Sequence, residues 1–389
     1  MKNEMFHRND IIKQSELVTE SELFLEVTEK INVFANILAI IIGIFGNLLT
    51  IFVYSYKKFR VNSSNVYLLC LAINNCLFLI VHFFDDVIRT YKQIFLNDET
   101  KKDQAFYDFI ISINIIDRFS LACRLGNYFR YVLRFISAYI VLSFTIQRLF
   151  LVYSPLTHKL RYKKTAWLSV GCLILISLLI NYWVLYLFDL RNQNGILYCD
   201  MKTHWRKEYF HITIIYISIT LLIPSVIIVI SNTIIIFKTY KEPKKAKIIF
   251  NLKSKTKNII NSNKKLAREL MPSKKSSLGL NSTKSYLSTN KIVAKISSKT
   301  NSAKKVTKIL LFISFSFVVL NLPYLITWLA FYYGIAFKNL DQIKKNYLFA
   351  ALQISEIFYI LNYGLLFYLF SASGFIFKNR FVKPKITTI

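Results

Sequence analysis

The sequence predicts an all-α membrane protein, a bundle of seven transmembrane helices with its N-terminus outside the cell. Three observations carry this. The 389 residues are 54% hydrophobic with a mean hydropathy of +0.39, more apolar side chain than a soluble domain of that size can bury. Seven apolar segments, at 32–56, 65–88, 119–152, 165–188, 209–237, 305–331 and 347–371, are each long enough for a spanning helix. They are too long and too uniformly apolar for barrel strands. Basic residues then fall on alternate connections: Lys57, Lys58 and Arg60; Lys159, Arg161, Lys163 and Lys164; a Lys-rich stretch after the fifth segment; and Lys378, Arg380, Lys383 and Lys385 after the seventh. The positive-inside rule places all four in the cytoplasm, so the termini lie on opposite sides and the number of spans is odd.

Residues 1–31 form an extracellular N-terminal tail. Its first 30 residues are polar and net −3, unlike a cleavable signal peptide. The seven-helix domain runs over 32–380, and 381–389 is a cytoplasmic tail. Residues 89–118, between the second and third segments, make a long outer connection with five basic and five acidic side chains. Its apolar run from Phe106 to Ile116 suits the membrane surface or a cap over the bundle. The third segment carries Cys123 near one end and Arg148 near the other; 25 helical residues span about 37 Å, slightly more than the hydrocarbon core.

The net charge of +30 is concentrated. Residues 238–308 hold nineteen lysines and Arg268 against Glu242 and Glu269. Lys, Ser and Asn dominate there, so 238–304 reads as a disordered third cytoplasmic loop. It serves as a solvated tether or as a polybasic segment drawn to anionic inner-leaflet lipid. Asn62-Ser63-Ser64 and Asn281-Ser282-Thr283 match glycosylation sequons but fall on the cytoplasmic side.

Among the five cysteines, Cys70, Cys76 and Cys172 lie in apolar runs, whereas Cys123 and Cys199 fall at segment edges and can pair on an oxidising face. There is no nucleophile–base pair, metal-ligand cluster or Gly-rich phosphate loop, so neither an enzyme nor a cofactor or metal is expected. His7, His82, His158, His204 and His211 stand isolated. The Lys-rich loop has too few aromatics for nucleic acid.

Short motifs now fall in order along the seven segments: Gly46-Asn47; Leu71-Ala72-Ile73-Asn74-Asn75; Cys123, Gln147-Arg148-Leu149 and Pro155-Leu156; Trp167; Pro224; and Phe317-Val318-Val319-Leu320-Asn321-Leu322-Pro323. In this order and spacing the chain resembles the rhodopsin-like (class A) G-protein-coupled receptors, with Asn75 for the family's Asp, Gln147-Arg148-Leu149 for Asp-Arg-Tyr and Asn321 for Trp. The family's Asn-Pro-x-x-Tyr falls on Asn362 to Leu366 or on Leu366 to Phe370. Phe377-Lys378, seven positions on, matches the start of the short amphipathic helix that follows in the family and selects the second register. Within the family, the Asn-Leu-Pro of segment six and the Asn362-Tyr363-Gly364 run resemble invertebrate neuropeptide receptors of the FMRFamide type.

The resemblance implies a multi-pass plasma-membrane receptor that binds an extracellular ligand, here a peptide, and activates a heterotrimeric G protein. It implies a Cys123–Cys199 disulfide and coupling through Arg148, flanked by Gln147, Leu149 and Pro155. Gln147 and the Ser302-Ala303-Lys304-Lys305 run offer no carboxylate to restrain Arg148, which predicts raised basal signalling. The switch residues would be Asn47, Asn75, Ser137, Trp167, Pro224, Phe317, Asn321, Pro323 and Phe370. With Asn75 for Asp and Leu366 at the usual Asn, no sodium-dependent stabilisation is expected.

The third segment also carries Arg124, Asn127, Arg130 and Arg134 on one face. Arginine within a membrane faces the bundle interior and finds partners. Asp85, Asp86 and Glu356 are the candidates. These residues either line a charged ligand pocket or brace the bundle through internal ion pairs. Tyr131, Tyr216, Tyr324, Trp328 and Tyr359 would supply its aromatic walls, or pack as ordinary helix contacts. Arg130 stands where amine receptors carry Asp, and segment seven has no lysine for retinal, which argues against an amine receptor and excludes an opsin. A chemosensory receptor for a small molecule fits the same fold. A transporter or channel is the alternative of another class, against which stands the lack of an internal repeat.

Overall fold

The structure, a computed structural model, describes residues 2–56, 63–97, 112–153, 163–193, 196–238, 311–334, 340–365 and 368. Seven long helices are found among them: α1 (Lys2–Ser55), α2 (Ser63–Lys92), α3 (Ser120–Tyr153), α4 (Lys163–Leu187), α5 (Glu208–Lys238), α6 (Leu311–Gly334) and α7 (Gln342–Gly364). All but α7 are apolar enough to cross a membrane by composition, α1 from Ser15 onward. α7 has the length but carries Asn346, Gln353, Glu356 and Asn362, as a helix does when one face looks into the bundle. The expected Lys-rich loop, Pro155, Phe370, the Phe377-Lys378 helix and the C-terminal tail lie outside the described residues.

The first helix does not begin at residue 32 as its apolar run suggests. Residues of the tail continue it outward, so the 41 residues from Ser15 to Ser55 reach about 60 Å, twice the hydrocarbon thickness. The extension is seated on α7: Asn346 donates to Ser21 Oγ at 3.1 Å, Asn32 donates to Gln353, and the Phe24 and Tyr347 rings lie 5.5 Å apart. Its buried positions are Ser21 and Thr28, seven apart on one helix face but polar, so no apolar periodicity announced it.

Deeper in the bundle, α1 and α7 touch backbone to backbone. A Cβ on Gly43 would lie 2.9 Å from Gly364 Cα and 2.8 Å from Leu79 Cδ1, a small-residue contact of the kind that draws membrane helices together. Asn47 fixes the same pair, donating to Gly43 O and Tyr363 O, each at 2.8 Å.

Two helices contain a π-helical turn. In α5 it spans Ser218–Leu222, just ahead of Pro224, whose missing N–H and ring break the regular i−4 ladder there. In α2 it spans Phe83–Val87 and contains Asp85 and Asp86. An antiparallel hairpin, β1 (Phe188–Gln193) and β2 (Ile196–Met201), follows α4 with Leu190 opposite Cys199.

Candidate functional site

Cys123 and Cys199 form the disulfide expected of them, pinning β2 to the outer end of α3. Asn127 packs against it, donating to Cys199 Sγ at 3.3 Å and Cys123 O at 3.1 Å. It stands behind the bridge rather than in the pocket wall. β1 is held separately: Asp189 accepts from Ser120 Oγ at 2.6 Å and from Arg124 at 2.5 Å. Those contacts, the Ser120 hydroxyl foremost, hold the Asp189 carboxyl down at about 2. Arg124 thus serves the hairpin, not the cavity.

A second lock went unforeseen in the long 89–118 connection. Buried Asp117 accepts from Cys199 N at 2.9 Å and from Asn114 Nδ2 at 2.8 Å. Lys92 Nζ lies 3.4 Å from Oδ2, the oxygen that Asn114 contacts, and Arg89 Nε lies 3.8 Å from Oδ1. One carboxylate therefore joins the end of α2, the turn before α3 and the hairpin. Sequence offers a weak signal for it, an acid six residues before the bridging cysteine.

Below this cap lies a cavity of about 270 Å³ between α1, α2, α3, α5, α6 and α7. Arg130, Arg134, Asp86, Tyr216, Tyr324, Trp328 and Glu356 all line it. Tyr131 and Tyr359 do so as well, as does Glu29 of the α1 extension. Asp85 does not; it is fully buried behind the wall, 2.7 Å from both Arg89 and Arg130. Arg130 also pairs with Asp86 at 2.8 Å. Consecutive residues of a regular α-helix diverge by about 100°; the π turn opens the spacing at which both aspartates meet one guanidinium.

Arg134, one turn deeper, has different surroundings. No carboxylate lies within ion-pair distance of it among the described residues. Its guanidinium sits 5.0 Å from the Tyr359 ring centre and 5.8 Å from that of Phe78, a cation–π setting that leaves its donors available. Tyr324 stacks on Tyr359 at 4.7 Å, and Tyr131, Tyr216 and Trp183 form a second aromatic group. Glu356 makes no ion pair or hydrogen bond among the described residues. His82, isolated in sequence, is not isolated in space: its Nδ1 is 3.2 Å from Asp86 Oδ2. One ligand atom each of His82, Asp86 and Glu356 lie within 4.8 Å of one another.

Midway down, Asn75, Ser137 and Phe317 border a space of about 20 Å³, room for one water. Asn362, which the motif register set aside, faces it too. Asn321 is buried and donates to Phe317 O at 2.5 Å. Pro224 is buried, while Trp167 is 44% exposed on the outer face of α4, because Ala166 and Val170 take the inward positions there. At the inner end Arg148 donates to Ser64 Oγ at the start of α2 and lies over Phe144 at 5.8 Å; Gln147 beside it is buried.

A disulfide-capped bundle of seven helices, with a charged outer cavity and an inner arginine, defines a membrane receptor scaffold. The sequence profile of the 7 transmembrane receptor (rhodopsin family) matches residues 46–364, and the chain belongs to that family. It is a multi-pass plasma-membrane receptor and not an enzyme, one that takes an extracellular ligand and signals through a heterotrimeric G protein. Compared with curated proteins one by one, the chain matches none.

Proposed function

We propose that the extracellular ligand is a peptide, entering the outer cavity with an anionic or carbonyl group at Arg134 and a cationic group at Glu356. The observation that carries this is the division of labour between the two inner arginines. Arg130 is neutralised internally by Asp85 and Asp86, the bracing role; Arg134 makes no ion pair among the described residues and lies over the Phe78 and Tyr359 rings. A ligand that leaves Arg134 unpaired gains little, and one that supplies an acceptor gains a charge-assisted hydrogen bond in a dry site. Charged and polar lining runs from Arg134 outward through Asp86 and Arg89 to Glu29, which suits an extended backbone. The likeness of segment six and of the Asn362-Tyr363-Gly364 run to FMRFamide-type receptors points the same way.

The small-molecule reading has one observation in its favour: about 270 Å³ holds only the terminal residues of a peptide. The two separate in one screen. Amidated peptides and small zwitterionic molecules are applied to cells carrying the receptor and a promiscuous G protein. A peptide response that is lost in Arg134→Leu and Glu356→Gln at matched surface expression supports the proposal; a response to small molecules alone overturns it. Arg148→Gln should abolish signalling while sparing binding.

A further inference from the structure

We propose that His82, Asp86 and Glu356 form a zinc site that clasps α2 to α7 at the cavity wall. This stands on the cluster itself, whichever ligand the receptor takes. His82 is wholly buried; its Nδ1 faces Asp86, and its Nε2 has no hydrogen-bond partner among the described residues. A buried imidazole nitrogen left without a partner costs free energy. Its Nδ1 lies 3.2 Å from Asp86 Oδ2, close to the roughly 3.3 Å between ligand atoms of a tetrahedral zinc with bonds near 2.1 Å. His82 and Asp86 are four apart on α2 and so share one face. Glu356 comes from the neighbouring helix, within 4.8 Å of both, and a small side-chain adjustment closes the third bond.

The charges agree with this. Asp86 and Glu356 are like charges held close together, and Glu356 has no cation of its own among the described residues. A divalent ion neutralises both. Asp86 is then drawn from Arg130, which keeps Asp85 at 2.7 Å. One imidazole nitrogen with two carboxylate oxygens suits zinc over magnesium or calcium, and three protein ligands leave a fourth position open to the cavity. Zinc there displaces a ligand cation from Glu356 and, together with Arg134, favours an anion. It would therefore oppose a ligand that brings a cation to Glu356.

The test is zinc-dependent thermal stability of the full chain purified in detergent. Zinc should raise the melting temperature saturably, EDTA should reverse it, and magnesium should not reproduce it. His82→Gln and Glu356→Gln should each weaken the zinc response at least tenfold in concentration, since even outer-shell changes cost 10–100-fold. His204→Gln, in the outer loop, should leave it intact. If His82→Gln fails to fold, Glu356→Gln carries the test alone, because that side chain lines the cavity without an internal bond among the described residues. An equal zinc response in parent and both variants, or none in the parent, overturns the site. A peptide response that survives while zinc binding fails leaves the ligand proposal standing, so the two are separable.

Discussion

Replacing Asp117 with alanine should destabilise the receptor more than any other single truncation on its outer surface. The carboxylate accepts from Cys199 N–H at 2.9 Å, and losing it strands a buried donor at about 1–3 kcal/mol. Lys92 is 7% exposed. Without Asp117 it retains, among the described residues, Leu197 O at 3.3 Å and the Tyr198 ring at 5.0 Å. Removing one partner of a buried pair costs about 3–5 kcal/mol. Arg89 adds little, since it keeps Asp85 at 2.7 Å. The losses meet at one side chain and overlap, so the expected total is about 3–5 kcal/mol.

At about 2–4 °C per kcal/mol, that is a fall of roughly 6 °C or more in melting temperature. The protein carries its own reporter. Cys70 and Cys76 are buried thiols that a thiol-reactive dye reaches on unfolding, over a background from exposed Cys172. Lys92→Met on the alanine background removes the stranded charge and should recover at least about 1 kcal/mol. A melting temperature within 1 °C of the parent would refute the reasoning; so would a double variant that falls by the sum of the two singles.

Three further outcomes are expected. Arg130→Leu should destabilise by about 3–5 kcal/mol by stranding Asp85 and Asp86, whereas Arg134→Leu should melt near the parent; equal losses in the same thermal assay would contradict the division of labour. Gly43→Val should lower surface expression and melting temperature sharply, because its Cβ meets Gly364 Cα at 2.9 Å, with Gly43→Ala intermediate. The Asp189 carboxyl is held at about 2, below its ordinary 3.8, so its contribution is complete above about pH 5 and is lost as pH falls from 3.8 through 2. Asp189→Asn should flatten the stability–pH curve in that window alone.

Much of the fold was legible because membranes impose one rule on every residue: apolar length and basic flanks mark a spanning helix whatever else it does. The same rule explains the misplaced start of α1. Its outer extension buries the polar Ser21 and Thr28, side chains whose inward role only a partner helix defines. Arg130, Arg134 and Glu356 were legible as chemistry out of place in an apolar run, and Cys123 and Cys199 as thiols at segment edges. Asp117 and His82 were not, since one acid among five in a long connection and a lone histidine in a helix gain meaning only from their neighbours in space.

The π turn in α2 is where the two kinds of information meet. Asp85-Asp86 reads in sequence as two candidate acids of equal standing. The extra residue per turn instead sends one behind the wall, locked between Arg89 and Arg130, and leaves the other at the cavity surface beside His82 and Glu356. The inner carboxylate can hold Arg130 alone, so the outer one is free to change partners. A regular helix turns consecutive residues about 100° apart; here both acids, from within a π turn, reach one guanidinium at 2.7 and 2.8 Å. One arginine thus braces the bundle while the second acid stays at the cavity surface.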